Sequence, residues 1–378
     1  MKQAIMIGAG NIGRGFIGAI LSRSGYHVTF ADVNMTLIDA INAEGRYTVH
    51  IQDRDPAAFT ITNIDGISSA GPELAEALKT AELVTTAVGL RILPIVAKPI
   101  AARKAAGNTA PLNIVACENA VRATSQLKNA VYALLDDETK AFADANVGFA
   151  DCAVDRIVPK MDFADPLDVA VEEFSEWDVE RSGWKGELPK IEGMTIVEDL
   201  SAYIERKLFT LNSGHAICAY LGCLRGHQTI LDSVNDPIIG PIVYKAMQQS
   251  GAGLVKKFSR DAEKHQAYID RIFARFHNPY LQDEVARVGR EPIRKLAASD
   301  RLINPLLTAY NFGMKVDQLI FGAAAALRYD NAEDPQSVEL QKTIAEQGAA
   351  AALEQYSGLA ADHPLSTRIL DVYRALAV

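Results

Sequence analysis

"QAIMIGAGNIGRG" runs from Gln3 to Gly15. It opens as a short apolar strand and breaks into glycine at Gly8, Gly10 and Gly13. The spacing G-x-G-x-x-G recurs by chance, so the setting carries the reading. "GRGFIGAILSRSG" follows with helical spacing and closes at Gly25. Between strand and helix, the first glycine permits a tight turn and the second lets backbone approach a pyrophosphate. The third lets helix and strand pack closely. The helix start then offers unpaired N–H groups and a positive dipole end. Gly8, Ala9, Gly10, Asn11, Ile12 and Gly13 are the candidate dinucleotide cradle. "YHVTFADV" reads as a second strand, and Asp32 stands 19 residues after Gly13. A carboxylate there accepts hydrogen bonds from ribose hydroxyls and repels a 2′-phosphate. No Arg or Lys follows before Arg46, so NAD is expected rather than NADP. The plain alternative is a strand-to-helix turn with a capping Asp.

Working outward, strand and helix alternate. "NMTLIDAINAEG" reads as a helix closed by glycine, and "AELVTTAVG" and "LNIVACEN" read as buried strands. Short β-branched runs of this kind suit parallel strands covered on both faces. "VGFADCAVDRIVP" is a further apolar run ended by Pro159, and "LDVAVEEFSEWDV" reads as a late strand. "ERSGWKGELPKIEGM" is rich in Gly, Pro and charge, and reads as a connection between domains. Beyond about residue 195 the apolar spacing is helical almost to the end, with abundant alanine. The expected architecture is α/β: a Rossmann-like doubly wound parallel sheet over residues 1–194, then an all-helical domain over 195–378.

Composition sets the bounds. The 378 residues exceed one core, and 49% hydrophobic with 22% charged residues is ordinary for a soluble globular chain. A net charge of -9 makes nucleic acid a poor partner. Four cysteines, Cys117, Cys152, Cys218 and Cys223, make no disulfide framework, and a reducing cytoplasm fits best. The N-terminus lacks the pattern of a signal peptide, and no apolar run is long enough to predict a membrane span.

"KLFTLNSGHA", Lys207 to Ala216, sets three polar groups in an apolar stretch. On a uniform α-helix at about 100° per residue, Asn212 lies about 140° from Lys207 and His215 about 80°. One broad arc holds all three. A desolvated lysine beside a cationic nicotinamide has a lowered pKa and takes a proton from an alcohol. An asparagine amide donates to the alkoxide that forms, and a histidine holds a hydroxyl. Spacing alone favours the bland reading, a satisfied helix surface or core. His215, Cys218, Cys223 and His227 also lie close together, but H-x2-C and C-x4-C match no compact zinc knuckle, so no metal is expected.

"GAGNIGRGFIG", "FADVN", "ENAV", "DRIVP", "ERKLFTLNSGHAICAYLG", "GHQTI", "NPYL" and "RVGREPIRKL" together resemble the mannitol dehydrogenase family, the polyol-specific long-chain dehydrogenases, over essentially the whole chain. The K-x4-N-x2-H segment is that family's signature, and the chain length fits its phosphate-specific branch. The resemblance implies metal-free hydride transfer between NAD and a polyol or ketose, here D-mannitol 1-phosphate and D-fructose 6-phosphate. It gives Lys207 the role of general base in oxidation and acid in reduction. Asn212 and Asn119 become the alkoxide-stabilising pair, and His215 a substrate-positioning residue. It also makes Asp155 a polyol contact, with a buried ion pair to Arg156 as the plain alternative. Arg287 and Lys295 match cationic substrate contacts.

The site is expected near the carboxyl end of the "LNIVACEN" strand, which Asn119 follows. "ARVGREPIRKL" supplies Arg287, Arg290, Arg294 and Lys295 as candidate phosphate partners, against the alternative of solvated helix faces. The expected partner is a small sugar or polyol phosphate. Rival functions are a mannitol 2-dehydrogenase or uronate reductase of the same family, and a non-catalytic NAD sensor.

Overall fold

A computed structural model describes residues 1–376 except 54, 102–109, 160 and 282. Those residues form two compact units, Met1–Tyr203 and Ile204–Val378. The first contains twelve strands: β1 Lys2–Ile7, β2 Tyr26–Asp32, β3 Tyr47–Ile51, β4 Ala57–Ile61, β5 Ile64–Ser68, β6 Leu83–Thr86, β7 Leu112–Ala116, β8 Val147–Phe149, β9 Cys152–Asp155, β10 Val169–Val171, β11 Glu176–Glu180 and β12 Thr195–Val197.

Six of them make the main sheet, in the order β5-β2-β1-β6-β7-β8, with every pairing parallel. The order runs outward from β1 in both directions, as crossover connections on both faces require. Residues of β1 show the covering directly. Ala4 and Met6 join one buried cluster, with Phe16, Val28 and Phe30. Ile5 and Ile7 join another, with Val84, Leu93 and Ile114. A strand whose alternate side chains enter two separate cores has no polar face, and each buried Ile or Met adds roughly 1.5–3 kcal/mol of burial.

Two smaller sheets complete the unit, in the orders β10-β3-β4 and β12-β11-β9. They revise the sequence reading at two places. "LDVAVEEFSEWDV" is two strands, β10 and β11, in different sheets. The Gly- and Pro-rich stretch read as an interdomain connection lies within the first unit, because β12 follows it and pairs in parallel with β11.

The second unit is helical. Ser213–Leu224 is its buried axis, and small residues bring neighbours close. A Cβ on Gly214 would meet Met247 Sδ at 2.8 Å, one on Gly222 would meet Ser233 Oγ at 2.0 Å, and one on Gly322 would meet Ile217 Cγ1 at 2.4 Å. Alanine dominates Asp317–Leu327 for the same reason, and Ala323 to Ala326 are fully buried. Among the described residues no helix is long and apolar enough to cross a membrane.

Candidate active site

In the first unit the glycine loop joins β1 to a turn of π-helix, Gly13–Gly18, that continues as Ala19–Arg23. Gly8 has φ +101°, and a Cβ there would stand 2.5 Å from Ala87 O. A Cβ on Gly13 would stand 2.0 Å from Gly8 O. Both positions therefore demand glycine, one for its dihedral and one for close packing. Gly10 has nothing within 4 Å of its Cβ position, so its backbone is open to a ligand. Ala9 is buried and Ile12 is 48% exposed.

Asp32 ends β2. Its Oδ2 accepts from Ala9 N at 2.7 Å and its Oδ1 from Asn34 N at 2.9 Å. Each oxygen keeps a lone pair, so the carboxylate is oriented and still able to accept ribose hydroxyls. The cradle and the oriented acid fit a dinucleotide.

Two further residues hold this edge. Arg14 is buried, and burial lowers its pKa. Its guanidinium donates to Leu167 O at 3.0 Å and to Ala9 O, and approaches Asn11 Oδ1 at 3.5 Å, tying the loop to the segment before β10. Glu118 follows β7. Its carboxylate accepts from Thr86 Oγ1 at 2.7 Å, Val88 N at 3.0 Å and Gly89 N at 2.8 Å. It fixes the turn after β6, whose Ala87 carbonyl confronts Gly8, and presents the exposed Asn119 next to it. Asp155, on β9, is buried. Arg156 donates instead to Glu172 O at 3.0 Å.

In the second unit Leu208–Asn212 form a π-helical turn between Ser201–Lys207 and Ser213–Leu224. The Ser213 N–H reaches back five residues to Leu208 O. Five residues per hydrogen-bonded turn means less rotation per residue. Asn212 therefore comes round towards Lys207 rather than lying 140° away, a correction to the uniform helix assumed from sequence. The turn is held by Ser250, whose Oγ donates to Phe209 O at 2.8 Å. It also leaves the buried Thr210 and Ser213 hydroxyls without partners among the described residues, a cost that marks π-turns kept for a purpose.

Exposure sorts the segment. From Phe209 to Gly222 every residue is buried except Asn212 and His215. Lys207, just before, is also partly exposed. Over that span the helix thus opens only at Asn212 and His215, while Lys207 belongs to the half-buried run Tyr203–Leu208. The His215 ring stacks on Phe276, with centroids 5.1 Å apart and planes 16° from parallel. Its Nε2 lies 3.1 Å from Asp283 Oδ2. Asp283 Oδ1 also accepts from Arg287 Nε at 2.6 Å. Burial pushes the Asp283 carboxyl up, but His215 and Arg287 outweigh it and hold it below its ordinary value.

The cationic segment divides. Arg287 is exposed beside Asp283. Arg294 pairs with Glu291 at 2.7 Å and Asp300 at 3.0 Å. Lys295 is buried and donates Nζ to the carbonyls of Val288 and Arg290. Burial, with Arg301 and Arg294 nearby, pushes it down to about 7. The metal alternative finds its residues engaged apart: His215 faces Asp283, while His227 faces Asp236 at 3.0 Å and Cys218 is buried against Ile230 O. Among the described residues no three His, Cys, Asp or Glu side chains gather to hold a metal ion.

Asp283, Glu118, Arg14 and Ser250 were not singled out from sequence. Only Asp283 had a local signal, the i, i+4 spacing to Arg287.

Two family models match the chain: the mannitol dehydrogenase Rossmann domain over residues 2–193 and the mannitol dehydrogenase C-terminal domain over 199–376. Among solved structures, the chain is similar to Pseudomonas fluorescens mannitol 2-dehydrogenase in a ternary complex with NAD and D-mannitol. The TM-score is 0.75 at 18% identity, covering 99% of this chain and 91% of that one. It is similar also to a D-sorbitol dehydrogenase in substrate-free form, with TM-score 0.75 at 17% identity, covering 93% and 94%. A D-mandelate dehydrogenase in a ternary complex with NADH and anilino(oxo)acetate follows at 0.51 and 11%, covering 90% and 99%.

Proposed function

We infer the activity from one premise: the chain belongs to the mannitol dehydrogenase family. The coarse reading is a polyol dehydrogenase, and the finer one is a mannitol-1-phosphate 5-dehydrogenase that interconverts D-mannitol 1-phosphate and D-fructose 6-phosphate with NAD. The carrying observation is that Asn212 and His215 are the two openings in the otherwise buried run Phe209–Gly222, with Lys207 one π-helical turn before Asn212. Surface decoration would not be ringed by buried residues, and an ordinary core residue would not be open.

The residues divide the chemistry. NAD, when bound, supplies the acceptor for hydride. In oxidation the Lys207 amine takes the proton of the reacting hydroxyl as the C–H electron pair leaves, and the C–O bond becomes a carbonyl. The amides of Asn212 and Asn119 donate to that oxygen while it carries negative charge. In reduction Lys207 returns the proton. His215 and Asp155 hold the remaining hydroxyls. Gly8, Gly10 and Gly13 admit the pyrophosphate, and Asp32 selects the unphosphorylated ribose. Arg287 takes the substrate phosphate, since a guanidinium has five donors and Asp283 occupies only part of them.

A second reading, an unphosphorylated polyol, is favoured by one observation. Arg294 and Lys295 are committed to protein partners, so fewer cations remain for phosphate. Oxidation of NADH with D-fructose 6-phosphate, free fructose and a keto-uronate separates the readings. The phosphate reading expects D-fructose 6-phosphate to give the highest kcat/KM, with NADPH a poor substitute. Preference for free fructose establishes the second, and NADH binding without turnover of any of them overturns both.

A further inference from the structure

We propose that Asp283 is a positioning residue that sets the tautomer of His215, leaving Nδ1 as the acceptor for a substrate hydroxyl. The proposal builds on the reading of Lys207, Asn212 and His215 as a polyol site.

Asp283 is 7% exposed and precedes the short helix Val285–Gly289. Its backbone is fixed, because its carbonyl accepts from Ile230 N at 2.8 Å. Arg287 engages Oδ1 through Nε and Nη2, so the carboxylate is held as an anion, and an anion only accepts. His215 Nε2 stands 3.1 Å from the other oxygen. The approach is bent away from good hydrogen-bond alignment, so the contact acts through electrostatics: a ring hydrogen on the nitrogen nearer the carboxylate is favoured over a lone pair there. Nε2 therefore carries the hydrogen, and in the neutral ring Nδ1 carries the lone pair.

The rest of the surroundings agree. Stacking on Phe276 fixes the ring plane. Nδ1 has no protein partner among the described residues, and His215 is one of the two openings in the buried helix. A nitrogen acceptor pointing at no protein group, on a ring locked at its other nitrogen, suits a polyol hydroxyl that donates. The same carboxylate anchors Arg287, so one buried anion aligns two groups that meet the substrate.

The test is the 15N spectrum of histidine-labelled protein without substrate, with His215→Gln assigning the resonance. The expected wild-type pattern is an Nε2–H tautomer. In Asp283→Leu and Asp283→Asn it shifts towards Nδ1–H, and KM for the carbonyl substrate rises about ten- to hundredfold while KM for NADH holds. Asp283→Glu is expected to recover part of both effects. A merely structural role would lower kcat and stability without moving the tautomer. An Nδ1–H tautomer in the wild type, or one unchanged in both folded variants, overturns the proposal. An Nε2–H tautomer in an enzyme that turns over no polyol would leave this inference standing and sink the functional reading instead.

Discussion

His265 supplies a sharp energetic prediction. It lies in the helix Ala262–Phe276, only 5% exposed, with its ring against Gly251. Neither ring nitrogen has a partner among the described residues. Burial, helped by the positive Arg260 and Arg206, pushes its pKa down to about 4 from 6.5. The sign follows from linkage. Above pH 6.5 the ring is neutral in both states and contributes no pH dependence. As pH falls from 6.5 towards 4 the unfolded chain takes the proton and the folded chain does not, so stability is lost through that window. At about 1.4 kcal/mol per pH unit, the loss between about pH 7.5 and about pH 5 is roughly 2 kcal/mol. The perturbation is His265→Phe, which keeps a ring and removes the titration. The assay is urea unfolding followed by helical circular dichroism at both pH values, because the second unit is helical. The wild type should lose about 2 kcal/mol more than the variant on acidification, whatever the variant's absolute stability. Equal losses, or a larger loss in the variant, would refute a buried neutral histidine.

Three other outcomes are expected. Gly13→Ala places a methyl 2.0 Å from Gly8 O, so NADH affinity should fall at least tenfold, as a titration of nucleotide fluorescence would show; wild-type affinity would mean the loop yields. Asp32→Asn removes the charge that repels a 2′-phosphate, so the ratio of NADPH to NADH kcat/KM should rise by about tenfold or more; an unchanged ratio would remove Asp32 from the cofactor site. Arg287→Ala should raise KM for the phosphorylated sugar more than KM for NADH; equal effects on both would argue against phosphate contact.

What could be read from sequence follows from local chemistry. β1, β2, β6 and β7 are rich in apolar and β-branched residues because both faces of the main sheet are covered. β4, "AAFTI", is mostly exposed, so it carries no comparable apolar signal. The break between β10 and β11 leaves the chain extended on both sides, and extended chain does not announce which sheet it joins.

The site divides in the same way. The glycines and Asp32 have fixed spacings, because one turn and one strand end position them. The π-turn at Leu208–Asn212 has no residue signature, since only hydrogen-bond register distinguishes it from an α-turn. The Asp283 contact to His215 joins positions far apart in the chain, which no window of sequence can span. Lys295 reads from sequence as a phosphate-binding cation beside three arginines, yet the fold buries it and turns its ammonium onto two carbonyls.

The central claim is that Lys207 carries the proton. Its most direct test is Lys207→Ala, measured for steady-state turnover of NADH with the best carbonyl substrate at neutral pH and for NADH binding by fluorescence. The account predicts kcat lower by about 10²–10⁴-fold with NADH affinity nearly unchanged. An active variant under those conditions would contradict it.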